Sequence, residues 1–306
     1  EYSVRLMPLN EFRALVEQRG QFIMMTGEEI SDAVQGKPVH MNATNLRDLL
    51  QPLSGESVQA AIRANLRAAE DQARRTGRDI LVHLNHPNFH YAVTAADIAA
   101  VTEERFYEVY NGHPGVNHLG DDEHPSVEAI WDIANALRLT RWQAPPLMGI
   151  ATDDSHSYHD GKGSTPGRGW TMVRSRYLTP SHLIRAMKQG ELYASSGVTL
   201  RSIDYSEPTR SLQIEVVPDG DAEFTIEFIA TTEDAWRESA TSLNLERVGL
   251  VRAQHVGTSA SYQLRPDDLY IRARITSSHK HANPSYVGQL QRAWTQPVGW
   301  QNRIEP

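Results

Sequence analysis

The hydrophobic pattern of this 306-residue chain changes its period near residue 200, and this change constrains the fold more than any other feature. Before that point, short apolar runs alternate with segments in which apolar side chains recur at helical spacing. After it, apolar and polar residues alternate with a period of two, as in strands with one buried face. We therefore expect an α/β region in residues 1–200 and a β-rich region in residues 201–306.

Strand-like and helix-like segments alternate through the first region. The strand-like runs are QFIMM (residues 21–25), DILVHL (79–84), RFYEVY (105–110) and PLMGIA (146–151). The helix-like segments occupy residues 57–77, 125–138 and 179–190, and Thr179 is a candidate N-cap of the last. Such alternation is typical of a mainly parallel sheet or barrel, in which the carboxyl ends of the strands form the functional rim.

The second region contains few helical signals. In EFTIEFIA (223–230), Phe224, Ile226 and Phe228 face one way, while the polar residues between them face the other. LYIRARI (269–275) repeats the scheme, with Arg272 and Arg274 predicted to point outward. This pattern predicts antiparallel strands in a small β-sandwich-like domain.

The composition excludes several classes of protein. The chain has no cysteine, so any metal must be bound by His, Asp and Glu, a ligand set that suits Zn, Mn or Fe. The formal net charge of −8 argues against a nucleic-acid partner, because no basic excess is available to neutralise phosphates. No stretch approaches the roughly 20 consecutive apolar residues of a membrane span. The lack of cysteine suits a cytoplasmic protein and is equally compatible with a secreted or periplasmic one from which an N-terminal segment has been removed.

Four stretches place imidazole or carboxylate groups near predicted strand ends. They are GEEI (27–30), KPVHMNA (37–43), LNHPNF (84–89) and ATDDSH (151–156). Glu29 follows the first predicted strand, His86 follows the second, and Asp154 with His156 follows the last. Carboxylates together with neutral imidazoles can build a hydrolytic metal site. Each stretch taken singly is also compatible with an ordinary polar loop.

In this order, the four motifs resemble those of the polymerase and histidinol phosphatase (PHP) superfamily of metal-dependent hydrolases, closest to its carbaryl-hydrolase-like branch. YEVYNGHP (107–114), PGRGWTMVRS (166–175), ELYASSG (191–197) and RAWTQPV (292–298) extend the resemblance over most of the chain. The resemblance implies a distorted (β/α) barrel, a TIM-like barrel with fewer than eight units, in residues 1–200. It also implies one to three divalent metal ions, bound by Glu29, His40, His86, Asp154 and His156. Asp154 and His156 are also the predicted catalytic residues.

One part of the family pattern is missing. The family opens with an H-x-H motif at the end of a first strand, and none precedes GEEI here. The H-x-H of this chain, His279-Lys280-His281, lies in the β-rich region, where we expect a surface loop. Because the chain begins at Glu1, an N-terminal segment with the first strand is expected to be missing. The alternative is a degenerate site that binds fewer metals.

The leading hypothesis is a metal-dependent hydrolase that acts on a small molecule. A metal-activated water would attack a phosphoester, or a carbamate, ester or amide bond. Four residues near the predicted rim are candidate substrate contacts: His90, His113, His159 and Arg168. The alternative is a catalytically degenerate scaffold that binds a carbohydrate or a protein. A serine hydrolase is not favoured, since the chain has no G-x-S-x-G nucleophile elbow.

Overall fold

The computed structural model describes residues 5, 7–158, 163–235 and 244–304. The α-helices of this part of the chain are α1 (Leu9–Val16), α2 (Val58–Thr76), α3 (Ala95–Ala100), α4 (Val127–Thr140) and α5 (Pro180–Lys188). The strands are β1 (Gly27–Val34), β2 (Lys37–Thr44), β3 (Leu81–Leu84), β4 (Phe106–Asn111), β5 (Met148–Thr152), β6 (Trp170–Val173), β7 (Leu192–Ser195), β8 (Leu200–Ser206), β9 (Ser211–Val216), β10 (Phe224–Thr232), β11 (Leu250–Val256), β12 (Ser259–Gln263), β13 (Asp268–Lys280) and β14 (Leu290–Trp294). Short 3₁₀ turns occur at Glu233–Ala235, Leu245–Arg247 and Gln301–Arg303.

The first sheet has the order β1-β2-β3-β4-β5 and combines two kinds of pairing. The strands β1, β2 and β3 pair antiparallel, whereas β3, β4 and β5 run parallel. Helices α3 and α4 connect the parallel strands, as a parallel pairing requires. Ile30, Met41, Ile62 and Trp131 belong to the buried apolar cluster shared by this sheet and its helices. One face of the sheet is therefore apolar, and the other is free to carry polar groups.

The strands β1 and β2 form a hairpin around a two-residue turn. Gln35 and Gly36 have φ angles of 52° and 79°, and positive φ at both positions is what a type I′ turn needs. The prediction of a strand at residues 21–25 is wrong, because the strand begins only at Gly27 and Phe22 is 49% exposed. GEEI thus lies inside a strand rather than in a loop after one.

The remaining strands form two antiparallel sheets, ordered β11-β10-β13-β14-β7-β6 and β12-β9-β8. Ile214, Phe228 and Ile275 are among the side chains that form one buried apolar cluster from both sheets. This arrangement is compatible with the predicted β-sandwich-like region. The strands β6 and β7 precede residue 200, and β7 pairs with β14, so the larger sheet draws strands from both sides of the predicted boundary.

The predicted distorted (β/α) barrel, and with it the TIM-like description, is wrong. Fourteen strands lie in three sheets across the described ranges, with five α-helices, and the sheets form no closed barrel. A parallel barrel needs a helical crossover between successive strands. Among the described strands, only the steps from β3 to β4 and from β4 to β5 combine such a helix with parallel pairing. Where the barrel would have further strand–helix units, the chain instead has antiparallel pairs: β1 pairs with β2, and β6 pairs with β7.

The predicted helices are confirmed in detail. The hydroxyls of Ser57, Ser126 and Thr179 cap α2, α4 and α5 by accepting backbone N–H groups of the first turn. Gly77 follows α2 with a φ of 67°, a left-handed conformation that glycine adopts at little cost. Within the described ranges, no helix combines the length and hydrophobicity that crossing a bilayer requires.

Glu104, just before β4, is a fully buried carboxyl with a strongly shifted pKa. Burial raises its pKa to about 7, against hydrogen bonds from the backbone N–H groups of Phe106 and Arg105 and the charge of Arg138. The folded-state pKa exceeds the ordinary value of 4.5, so the folded state binds this proton more tightly than the unfolded chain does. We therefore expect the free energy of unfolding to fall by about 3 kcal/mol as the pH rises from about 4.5 to about 7.

Urea unfolding of the wild type and of Glu104→Gln across this pH range measures the contribution of Glu104. The glutamine variant lacks the titrating group, so the difference between the two proteins should grow with pH and level off above pH 7. A difference that stays constant from pH 4.5 to pH 8 would contradict the assignment.

Candidate metal centre

The register of the β1–β2 hairpin brings polar residues from two motifs onto one face of the first sheet. Glu29 pairs with Asn42, and Ser31 pairs with His40. Cross-strand partners share a face, so these four side chains lie opposite to the face that packs on the helices. The β2–β3 pairing adds His83, which lies beside Asn42. The hairpin therefore positions Glu29 and His40 by regular backbone geometry.

Glu29, His40 and His86 form a group of three potential metal ligands. One ligand atom from each residue lies within 4.8 Å of the other two. Glu29 Oε1 is 3.3 Å from His40 Nδ1 and 3.7 Å from His86 Nε2. The two imidazole rings stand edge to face, with centroids 5.1 Å apart. Two imidazoles and one carboxylate are a donor set found in catalytic zinc sites, which keep a further position open.

The end of β3 brings His86 to the hairpin. The backbone N–H of Asn85 donates to the His40 carbonyl oxygen at 2.9 Å, and Asn85 Nδ2 donates to Glu29 Oε1 at 2.9 Å. His86 follows with a φ of 23°, a backbone conformation that residues other than glycine rarely adopt. Strained backbone of this kind is concentrated at functional sites.

The electrostatics of the site favour a cation. Hydrogen bonds from His40 and His86 hold the pKa of Glu29 far below its ordinary value, although partial burial raises it. For His86, burial lowers the pKa, but the carboxylates of Glu29, Glu108 and Asp154 outweigh burial and leave the pKa raised. A bound cation would balance this negative charge in place of a proton on the imidazole.

A cavity of about 80 Å³ adjoins Glu29. Its lining consists of polar side chains: Glu29, Asn42, Asn85, Glu108, Asn111, Thr152 and Asp154. Asn85 is buried, and none of the described residues donates a hydrogen bond to its Oδ1. An acceptor left in this state costs about 1–3 kcal/mol, unless water or a cation satisfies it. The residues present therefore fit a hydrated divalent cation.

Asp154 and His156 adjoin this group without joining it. Asp154 lines the same cavity as Glu29 and has a φ of 48°. His156 Nδ1 is 2.8 Å from the carbonyl oxygen of Asp154 and 3.5 Å from its Oδ1. The His156 side chain is 62% exposed, and its ring lies edge to face with that of His113 at 5.4 Å. The five predicted ligands thus divide into a group of three and an adjacent pair.

The predicted substrate contacts have different settings. His90 is exposed, whereas His113 is half-buried beside the site, and burial lowers the pKa of its imidazole. Arg168 is buried, and its Nη1 donates to the carbonyl oxygen of Gly112 at 2.9 Å, so its guanidinium holds the loop rather than facing solvent. His159 lies outside the described residues.

Other polar residues of these motifs and of the H-x-H have structural partners. The carboxylate of Asp153 accepts the backbone N–H groups of residues 167–169 at 2.7–2.9 Å and so caps that loop. His281 is buried rather than exposed in a loop, and its Nε2 lies 2.9 Å from the carbonyl oxygen of Arg168. His279 contacts Asp221 at 3.0 Å. This H-x-H is not part of the group of three.

Sequence reasoning did not select Asn85 or Glu108. Asn85 directly precedes His86 in LNHPNF, where the histidine is the predicted ligand. Glu108 is the single charged residue inside the buried strand β4. A carboxylate at such a position needs partners, because burying an uncompensated charge is costly. The isolated Glu108 within the apolar run RFYEVY is therefore a sequence signal for a functional or structural carboxylate.

Comparisons of this chain with protein-family models, curated proteins and solved structures return no significant match. The function of this chain must therefore be inferred from the geometry of the site and the chemistry of its residues.

Proposed function

We propose that this protein is a metal-dependent hydrolase whose divalent ion is bound by Glu29, His40 and His86. The observation that carries the proposal is the convergence of these three ligand atoms within 4.8 Å. The residues come from β1, β2 and the end of β3, so three separate segments cooperate to build one donor set. The order of the motifs, which resembles that of the PHP superfamily, supports the same chemistry.

Two features favour a catalytic site over a structural one. A structural zinc site is normally closed by four protein ligands, whereas a catalytic site has three and leaves a position for water or substrate. The side chains of Glu29 and His40 are 37% and 25% exposed, so the group is accessible from solvent. When bound, the cation lowers the pKa of a coordinated water toward neutrality and stabilises negative charge on the substrate.

Asp154 and His156 are the proposed proton-transfer groups. The Asp154 carboxylate lines the cavity next to Glu29, where it can accept a proton from an attacking water. His156 is oriented by its contact with the Asp154 carbonyl oxygen and its ring is exposed, so it is the candidate to protonate a leaving group. The substrate is proposed to be a small molecule with a phosphoester, carbamate, ester or amide bond.

The test of the proposal combines metal analysis with turnover. Elemental mass spectrometry of protein purified without chelator should find one to three equivalents of Zn, Mn or Fe per chain. The same protein should hydrolyse at least one member of a panel of nitrophenyl phosphoesters, carboxyl esters and carbamates. Dialysis against a chelator should abolish the activity, and added Zn²⁺, Mn²⁺ or Fe²⁺ should restore it.

Protein that contains no metal and takes up none on titration would overturn the proposal. That result would favour the alternative, a scaffold without catalytic activity.

A further inference from the structure

Glu108 is a buried carboxylate to which the proposed mechanism assigns no step. It lies in β4 with 1% of its surface exposed. Its Oε2 accepts hydrogen bonds from the backbone N–H of His86 at 2.6 Å and from Asn111 Nδ2 at 2.9 Å. Its Oε1 accepts a hydrogen bond from Thr152 Oγ1 at 2.8 Å. Both carboxylate oxygens are therefore engaged by donors of the protein itself.

These donors belong to the ends of three neighbouring parallel strands. His86 follows β3, Asn111 is the last residue of β4, and Thr152 is the last residue of β5. The pairing of β4 with β5 is irregular just after Glu108, as at a β-bulge, a feature common beside active sites. One carboxylate thus ties together the strand ends from which His86 and Asp154 emerge.

The hydrogen bond to His86 acts on a strained residue. A φ of 23° is sparsely populated for histidine and persists only where surrounding contacts impose it. The 2.6 Å hydrogen bond from the His86 N–H to Glu108 is such a contact. In this conformation His86 Nε2 lies 3.7 Å from Glu29 Oε1, close to where a shared metal ion would sit.

We propose that Glu108 is a positioning residue of the metal centre, which orients His86 through its backbone N–H and does not bind the metal. This inference rests on the proposed function, because it requires that His86 is a ligand. Partners that orient metal ligands typically change metal affinity by about 10–100-fold when they are removed. Glu108 is not one of the three residues whose ligand atoms converge, and its two oxygens already accept three hydrogen bonds from the protein.

Two variants separate positioning from ligation. In Glu108→Gln, the amide oxygen can accept from His86 and Asn111, while the amide nitrogen donates to the Thr152 hydroxyl, which turns its own hydrogen away. We expect this variant to bind Zn²⁺ within about threefold of the wild type, since the hydrogen bonds are kept. Glu108→Leu removes the acceptor, and we expect its zinc affinity to fall by about 10–100-fold.

Competition with a chromophoric chelator measures both affinities, and the visible spectrum of the Co²⁺-loaded proteins reports ligand geometry. The proposal is overturned if Glu108→Leu keeps wild-type affinity, or if Glu108→Gln loses as much affinity as Glu108→Leu. If Glu108→Leu does not fold, zinc affinity is measured for Thr152→Val instead. This variant removes the hydroxyl that donates to Glu108 Oε1 and should weaken zinc binding, whereas unchanged affinity would contradict the proposal. A wild type that binds none of Zn²⁺, Mn²⁺ and Fe²⁺ refutes the proposed function instead.

Discussion

Replacing His86 by alanine is expected to weaken Zn²⁺ binding by at least about 100-fold and to reduce hydrolysis to the background rate. The loss should exceed the roughly 10–100-fold change that follows removal of a residue that only orients a ligand. His86 supplies one of the three converging ligand atoms, and its imidazole is buried beside Glu29. Isothermal titration with Zn²⁺, followed by an assay on the best substrate of the panel, measures both quantities.

His255→Ala is the matched control for this experiment. His255 is an exposed residue of β11 and is not part of the group of three. Its removal tests whether the loss of any imidazole lowers apparent zinc binding. We expect wild-type affinity and turnover from this variant. Equal losses in the two variants, or no loss in His86→Ala, would show that His86 is not a ligand.

Replacing Asp132 by alanine is expected to destabilise the fold by about 3–5 kcal/mol, because it removes the carboxylate that accepts two hydrogen bonds from the buried Arg272 guanidinium. Arg272 Nε and Nη2 donate to the two oxygens of Asp132 at 2.8 and 2.6 Å, and Tyr270 Oη donates to Oδ1 at 2.7 Å. The Arg272 guanidinium also lies over the ring of Trp131, 4.8 Å from its centroid. The Asp132–Arg272 ion pair joins helix α4, which packs on the first sheet, to strand β13 of the six-stranded sheet.

Urea unfolding followed by tryptophan fluorescence measures the effect, and Glu70→Ala provides the control. Glu70 pairs with Arg74 on the surface of α2, where both side chains are about two-thirds exposed. Exposed pairs contribute little, so this variant should unfold like the wild type. A loss in Asp132→Ala no larger than that of the control would show that the buried pair does not stabilise the contact between α4 and β13.

The local structure could be read from the sequence where one segment decides it. The helical spacing of α2 and α4 and the hydroxyl before α5 were sufficient, because caps and amphipathic faces depend on neighbouring residues. The position of His86 after a strand was also predicted correctly. The PHP resemblance, and not the local pattern, implies the ligand set Glu29, His40, His86, Asp154 and His156, and the structure brings the first three of these together.

The global arrangement could not be read in the same way. Alternating strands and helices predicted a barrel, but strand pairing depends on partners far apart in the sequence. Val39, Met41 and Ala43 alternate with polar residues, a strand signal for β2 that the predicted barrel does not include. Arg272 was predicted to point outward and is instead buried, because its partner Asp132 comes from a helix about 140 residues away.

The central claim is that Glu29, His40 and His86 bind one divalent metal ion. X-ray absorption at the zinc K-edge of the Zn²⁺-loaded protein tests it most directly, because imidazole scattering is distinguishable from that of water and carboxylate. We predict two imidazole nitrogens at about 2.0–2.1 Å, with oxygen ligands completing the shell, and the loss of one imidazole in His86→Ala. A shell of oxygen atoms without imidazole, or a spectrum that His86→Ala leaves unchanged, would contradict the account.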